Sequence, residues 1–158
     1  SLVGSEMCIR DRLKIFLLII FFNFHINVFA QESDYFLMLK YNEVNVRYGP
    51  SKEDQIKFIY KKKYLPLKVI DKKENFRKII DHKNNGGWIH ISQLKSSKSL
   101  VVMENKVLFK KNSYYSKPLV RIEKGVLVLI KRCKQNWCKV KTNNYIGWLN
   151  TQNVWGIK

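Results

Sequence analysis

Two segments of the chain after residue 43 alternate apolar residues with a period of two. Val44 and Val46 flank Asn45, and Leu65, Leu67 and Val69 are spaced by Pro66 and Lys68. Successive side chains of a strand point to opposite faces, so this alternation predicts half-buried strands. Ile56 to Tyr60 and Val126 to Ile130 are short apolar runs of strand length. No stretch after residue 30 holds a helical period. The runs are broken at Gly49-Pro50, at Asn84-Asn85-Gly86-Gly87 and at Asn143-Asn144. Turns use these residue types for a positive or a preset φ. Short strands with a turn about every ten residues predict an all-β fold of small barrels or sandwiches.

One stretch occurs twice. NFRKIIDHKNNGGWIHISQL, from Asn75 to Leu94, has a second version in NWCKVKTNNYIGWLNTQNV, from Asn136 to Val154. In both, an Asn-aromatic pair opens a strand, a polar turn follows, and Gly-Trp leads into a further apolar segment. Asn75 and Asn136 are 61 residues apart but Trp88 and Trp148 are 60 apart, which puts a one-residue difference in the turn. Turns tolerate such a change. The period is too long for a solenoid and predicts two tandem domains. The polar stretch KSSKS, Lys95 to Ser99, reads as a flexible boundary, giving a first domain over 31–97 and a second over 98–158. Domains of roughly 60 residues have marginal cores, and extra bracing is common in them.

The first thirty residues read differently. Ser1 to Arg12 resembles a translated sequencing-adaptor fragment and is left out of the fold reading. Residues 13–30 hold a basic Lys14, the apolar run IFLLIIFF from Ile15 to Phe22, and Val28-Phe29-Ala30. That order predicts a signal peptide cleaved after Ala30, and hence a periplasmic or secreted protein. A membrane anchor needs about 20 mostly apolar residues, and Asn23, His25 and Asn27 interrupt the run.

NVRYGPS at Asn45 to Ser51, followed by LPLKVI, NFRKI and GGWIHISQL, is similar in order and spacing to the bacterial SH3 domain family. In the second copy, CKQNWCKV from Cys133 to Val140 resembles the tandem SH3-like proteins of alphaproteobacterial envelopes. The resemblance spans residues 36 to 157 and implies two tandem SH3-like β-barrels that bind rather than catalyse. The implied partner is peptidoglycan or another anionic envelope polymer, a short peptide, or a protein of a periplasmic complex. SH3-like barrels leave a groove where aromatics can hold a sugar or an extended peptide. The candidates are Arg47, Tyr48, Pro50 and Trp88 in the first copy, with Tyr114, Tyr115 and Trp148 in the second. Each Trp can instead close the end of a small barrel. The copies differ where VLFKKNSYY, from Val107, replaces VNVRYGP, which removes the Gly-Pro from that loop, and where Trp137 replaces Phe76.

Cys133 and Cys138 enclose KQNW. With Gln135-Asn136 as a two-residue hairpin tip, they face each other on neighbouring strands at disulfide distance. Export favours oxidation, and a loop this short gains about 2 kcal/mol in the chain-entropy model. The spacing lacks the second Cys or His pair of a metal site and is not CxxC, so neither metal nor redox chemistry is expected. His82 reads as a solvated turn residue beside Asp81, and His90 as an edge-strand residue. There is no phosphate loop and no HExxH, which predicts a non-enzyme without cofactor.

The formal charge is +18, and Lys supplies 24 of the 30 basic residues. A Lys-, Asn- and Ile-rich composition also follows from codon bias in an A+T-rich genome. Lys61-Lys62-Lys63, Lys72-Lys73 and Lys110-Lys111 nevertheless fall in or beside predicted turns, where they attract polyanions. Export directs that attraction to anionic envelope surfaces and away from nucleic acid.

Overall fold

The computed structural model describes residues 35–157. The adaptor-like stretch 1–12 and the expected signal peptide 13–30 lie outside them. The described chain is built from strands. The first seven are β1 (Tyr35–Leu39), β2 (Val44–Arg47), β3 (Ile56–Tyr60), β4 (Pro66–Lys73), β5 (Phe76–Ile80), β6 (Gly86–His90) and β7 (Leu94–Ser96), with a single 3₁₀ turn at Ile91–Gln93. The next seven are β8 (Ser99–Val102), β9 (Lys106–Phe109), β10 (Pro118–Ile122), β11 (Leu127–Lys134), β12 (Trp137–Thr142), β13 (Tyr145–Asn150) and β14 (Val154–Trp155).

They form two antiparallel sheets of the same topology. The first runs β3-β2-β6-β5-β4-β1-β7 and the second β10-β9-β13-β12-β11-β8-β14. The fold is therefore all-β and SH3-like in duplicate. The barrels expected from the sequence are not closed, because the end strands β3 and β7, like β10 and β14, do not pair with each other. The closing strands are short: β7 has three residues and β14 two. Each long central hairpin carries one bulge, at Ile70 between β4 and β5 and at Lys131 between β11 and β12. An extra residue there bends the strand and sharpens its twist.

Alternation places the core as the sequence predicts. Val44 and Val46 are buried between outward Asn45 and Arg47, and Leu65, Leu67 and Val69 line the same interior with Ile79 and Ile89. Burying such a side chain contributes about 1.5–3 kcal/mol. β3 forms over the apolar run Ile56 to Tyr60 as expected, but Ile56 and Ile59 are 46% and 45% exposed. An edge strand has a partner on one side only, and its outward residues have nothing to pack on.

The two sheets are not strung on a flexible link. Val101 of β8 belongs to the first core, and Met103 just after β8, Leu127 of β11 and Trp155 of β14 pack against it. Trp155 meets Phe36 edge-on at 5.3 Å and donates from Nε1 to the Pro66 carbonyl at 3.0 Å. Two serines of KSSKS, Ser97 and Ser99, are hydrogen-bonding groups within this seam. Ser99 is fully buried and its Oγ donates to the Tyr64 carbonyl at 2.6 Å, while Ser97 Oγ donates to the Gly156 carbonyl at 3.2 Å. Gly156 has φ of +122°, and a Cβ there would lie 2.6 Å from the Ser99 carbonyl oxygen. The expectation of a flexible boundary is thus corrected, because polar residues are also what a buried crossing needs to satisfy its backbone.

The tight hairpins match in position. Gln135 and Asn136 form the tip between the paired Lys134 and Trp137, as Glu74 and Asn75 do between Lys73 and Phe76. Gln135 and Glu74 both take positive φ, 51° and 46°. Cys133 and Cys138 are directly paired with a Cα separation of 4.0 Å and form the disulfide. Cys138 is buried in the second core, so the link anchors an exposed hairpin to that core.

Two outcomes follow for stability. Trp155→Ala should cost about 3 kcal/mol and weaken both sheets together in urea unfolding followed by amide signals from each. A loss confined to the second sheet would contradict the shared seam. Replacing both Cys133 and Cys138 by Ser should cost about 2 kcal/mol, read as a lower urea midpoint at an unchanged slope.

Candidate functional site

The candidate site begins where β2 meets β6. Arg47 closes β2 and sits opposite Trp88 of β6. This single paired position brings the end of β2 close to β6, and glycine makes the approach possible. A Cβ on Gly87 would lie 2.6 Å from the Arg47 carbonyl oxygen and 2.6 Å from Val46 Cγ1, and one on Gly86 would collide with the backbone of Ile79. Gly86 and Gly87 read in sequence as turn residues, but they are strand residues that keep this floor open. The turn itself is Asp81 to Asn85, where Asn84 takes φ of +62°.

Asp81 holds that turn. Its buried carboxylate accepts from Lys83 N at 2.8 Å, Asn85 N at 2.9 Å and Asn85 Nδ2 at 3.2 Å. Tyr60 on β3 donates its hydroxyl to the Asn85 carbonyl at 3.2 Å. Burial, reinforced by the nearby Asp81 charge, pushes the Tyr60 phenol pKa far upward, so it remains a donor. Five residues separate the paired Ile80 and Gly86, whereas four separate the equivalent pair Lys141 and Ile146. The one-residue offset between the copies therefore lies in this turn.

Around the β2–β6 crossing is an open cleft of about 310 Å³ in the first sheet. Tyr48 and Trp88 supply aromatic surface, Ile70 and Ile80 aliphatic surface, and Arg47, Lys57 and Lys78 positive charge. Tyr48 is 65% exposed, with Lys57 Nζ 5.7 Å from its ring centre. Lys57 Nζ also donates to the Gly86 carbonyl at 3.0 Å, and the Arg47 guanidinium to the Asp54 carbonyl. Both cations are thereby positioned by neutral acceptors.

Arg47, Tyr48 and Trp88 are thus brought together. Pro50 is not with them and lines a neighbouring cleft of about 590 Å³ with Ser51 to Asp54, Lys73 to Phe76 and His90. The loop folds back because Asp54 accepts from Ser51 N at 2.7 Å, and its carboxylate occupies the space beside Gly49. Gly49 therefore makes room for a side chain and is not a positive-φ turn residue. His90 ends β6, an interior strand, which corrects the edge-strand reading. Its ring lies edge-on to Phe76 at 5.1 Å, and its Nδ1 is 2.7 Å from Ser92 Oγ.

The second copy assembles its candidates differently. Trp148 is buried, 9% exposed, with the Arg132 guanidinium 5.5 Å from its ring centre. Tyr114 packs on Trp137 at 4.8 Å and on Phe109 at 5.9 Å, and Tyr115 is fully exposed. Tyr114, Tyr115 and Trp148 do not share one surface in the way Tyr48 and Trp88 do. A cleft of about 450 Å³ beside Trp148 is lined by Asn112, Arg132, Cys133 and Lys134.

Sequence reasoning missed Lys57, Ile70 and Lys78. Lys57 and Lys78 arrive through the β2–β3 and β5–β6 pairings, and Ile70 through its bulge. Pairing Phe76-Arg77-Lys78 against Trp88-Ile89-His90 across the known turn would have placed Lys78 opposite Trp88.

The profile of the bacterial SH3 domain matches residues 40–96 and again 104–156. The chain belongs to that family and carries its domain twice. No curated protein matches it. Among solved structures it is similar to NlpC2 from Trichomonas vaginalis, at 11% identity and a TM-score of 0.36, covering 79% of this chain and 49% of that one. It is also similar to NlpC1 from the same organism, at 11% identity and a TM-score of 0.35, covering 79% of this chain and 46% of that one. The chain thus spans about half the length of either structure.

The Asp81 turn supplies a pH dependence. Burial, ahead of repulsion from Lys83 and Lys62, lowers the His82 pKa from 6.5 against the opposing pull of Asp81. The folded chain then binds a proton at His82 less readily than the unfolded chain. Stability is full above pH 6.5 and is lost as pH falls through the lowered folded value. Urea midpoints measured from pH 7.5 downward should show this decline, and His82→Gln should flatten it.

Proposed function

We propose that this is an exported, non-catalytic binding protein of the cell envelope, whose first SH3 domain holds peptidoglycan or a short peptide against Arg47, Tyr48 and Trp88. The observation that carries the reading is the open cleft of the first copy, where aromatic, aliphatic and cationic side chains converge. Such a surface binds a ligand by stacking, apolar contact and charge. The groups lining it are not a nucleophile held by a base, as covalent catalysis needs. Export is supported by the apolar run and small residues of 13–30 and by the Cys133–Cys138 disulfide, which suits an oxidising compartment. Membership of the bacterial SH3 family agrees with a binding role at the envelope.

An adaptor of a periplasmic protein complex is the second reading. It is favoured by β3, an edge strand with Ile56 and Ile59 exposed, to which an extended partner segment can add.

Co-sedimentation of the purified protein with isolated peptidoglycan sacculi, at low and at high salt, tests the first reading. Retention that survives high salt is expected, together with a loss of about tenfold or more for Tyr48→Ala while its unfolding midpoint stays put, because an exposed side chain contributes little to stability. Retention that disappears in salt would reduce the interaction to the general positive charge. No retention at either salt would move the function to the protein adaptor.

A further inference from the structure

The two clefts of the first domain differ in charge. The cleft at Pro50 combines Lys52 and Lys73 with Glu53, Asp54 and Glu74. The cleft at Tyr48 and Trp88 is lined by Arg47, Lys57 and Lys78, and by no Asp or Glu. Cations line both clefts, so the difference lies in the carboxylates, which only the Pro50 cleft has. Two of the three cations in the second cleft are also held in place. Arg47 and Lys57 donate to the carbonyls of Asp54 and Gly86, which fixes their heads without neutralising them. Lysine keeps further donors after one hydrogen bond, and arginine several. Preorganised, uncompensated donors of this kind favour an anionic group on the ligand.

The rest of the lining narrows the anion. Tyr48, Ile70 and Trp88 present apolar surface directly beside the cations, with Ile70 44% exposed. A bare inorganic anion would leave that surface wet. A carboxylate attached to a small apolar side chain would satisfy both, and a cleft of about 310 Å³ has room for one or two residues of peptide. The second copy keeps a lysine opposite its Trp, Lys139 against Trp148, but does not repeat the rest of the arrangement. Phe109 occupies the place of Arg47, since each stands opposite the Trp of its own sheet. Lys131 replaces the bulged Ile70, and Arg132 lies over the Trp148 ring.

We infer that the Arg47–Lys57–Lys78 cleft recognises the carboxylate end of a peptide, once per chain, in the first domain alone. The inference rests on the proposed binding role and names the group that the cleft reads. Peptidoglycan stem peptides and ordinary protein C-termini share this chemistry, and their stereochemistry separates them.

The test is an NMR titration of the full chain with N-acetylated tripeptides ending in D-Ala-D-Ala, with the same peptides as C-terminal amides, with the all-L acids, and with inorganic phosphate. The free acid should shift amides of Arg47, Tyr48, Lys57 and Trp88, and the amide should bind about tenfold more weakly or worse. Lys78→Gln alters an exposed side chain, should keep the spectrum of the folded protein, and should weaken the acid several-fold while flattening its salt dependence. Lys57→Gln should do the same. Preference for the D acid would name the wall peptide as the source, and equal binding of both stereoisomers would extend it to protein C-termini; either supports the inference. Equal binding of acid and amide, binding of phosphate as tight as the acid, or shifts centred on the second domain would overturn it. If no tripeptide binds but sacculi still retain the protein, the carboxylate inference fails and the envelope-binding reading stands. If neither binds, both fail.

Discussion

The structure depends on a seam in which one domain completes the core of the other. Val101 sits among Leu39, Leu67, Ile79 and Ile89, and Trp155 covers the start of β4 through Phe36 and the Pro66 carbonyl. A domain of about 60 residues buries little surface on its own, and two joined cores offset more of the chain entropy than two separate ones. The last strand, β14, pairs with β8 and thereby holds Trp155 against the first sheet. Gly156 is required at the same place because only a residue without a Cβ passes between Ser99 and Pro66. The second domain therefore serves the first as a brace, whatever else it does.

One scaffold used twice carries different side chains in its two copies. Both sheets share topology, bulge position and the Gly-Trp strand. The side chains decide what becomes of that scaffold. In the first copy, Arg47 and Tyr48 leave Trp88 accessible beside Lys57 and Lys78. In the second, Trp148 is buried next to Arg132, and Tyr114 is spent on a cluster with Phe109 and Trp137. The Cys133–Cys138 disulfide braces the second hairpin, whose counterpart in the first copy has none. The proposed binding cleft in one copy and the braced hairpin in the other are a consistent division.

Features governed by near neighbours in the chain were legible in the sequence. The alternation at Val44 and Val46 gave the buried face of β2, and the four residues between Cys133 and Cys138 gave a two-residue tip and an opposed pair. Family motifs gave the SH3 fold and the grouping of Arg47, Tyr48 and Trp88. What was not legible depends on partners far away in sequence. Gly86 and Gly87 look like turn residues until β2 and β5 are seen against them. Ile56 and Ile59 look like core until β3 is seen to be an edge. The polarity of Ser97 and Ser99 suggests solvent, whereas their hydroxyls satisfy carbonyls within a buried seam. Pro50 follows Tyr48 by two residues, yet the Asp54 carboxylate turns it into a different cleft.

The central claim is that one cleft per chain, in the first domain, is the binding surface. The most direct measurement is the stoichiometry of a soluble peptidoglycan fragment on the full chain, by calorimetric titration at saturating protein. The account predicts one fragment per chain, abolished by changing Arg47 and Tyr48 together and unaffected by changing Tyr114. Two equivalent sites per chain, or one site that survives loss of Arg47 and Tyr48, would contradict it.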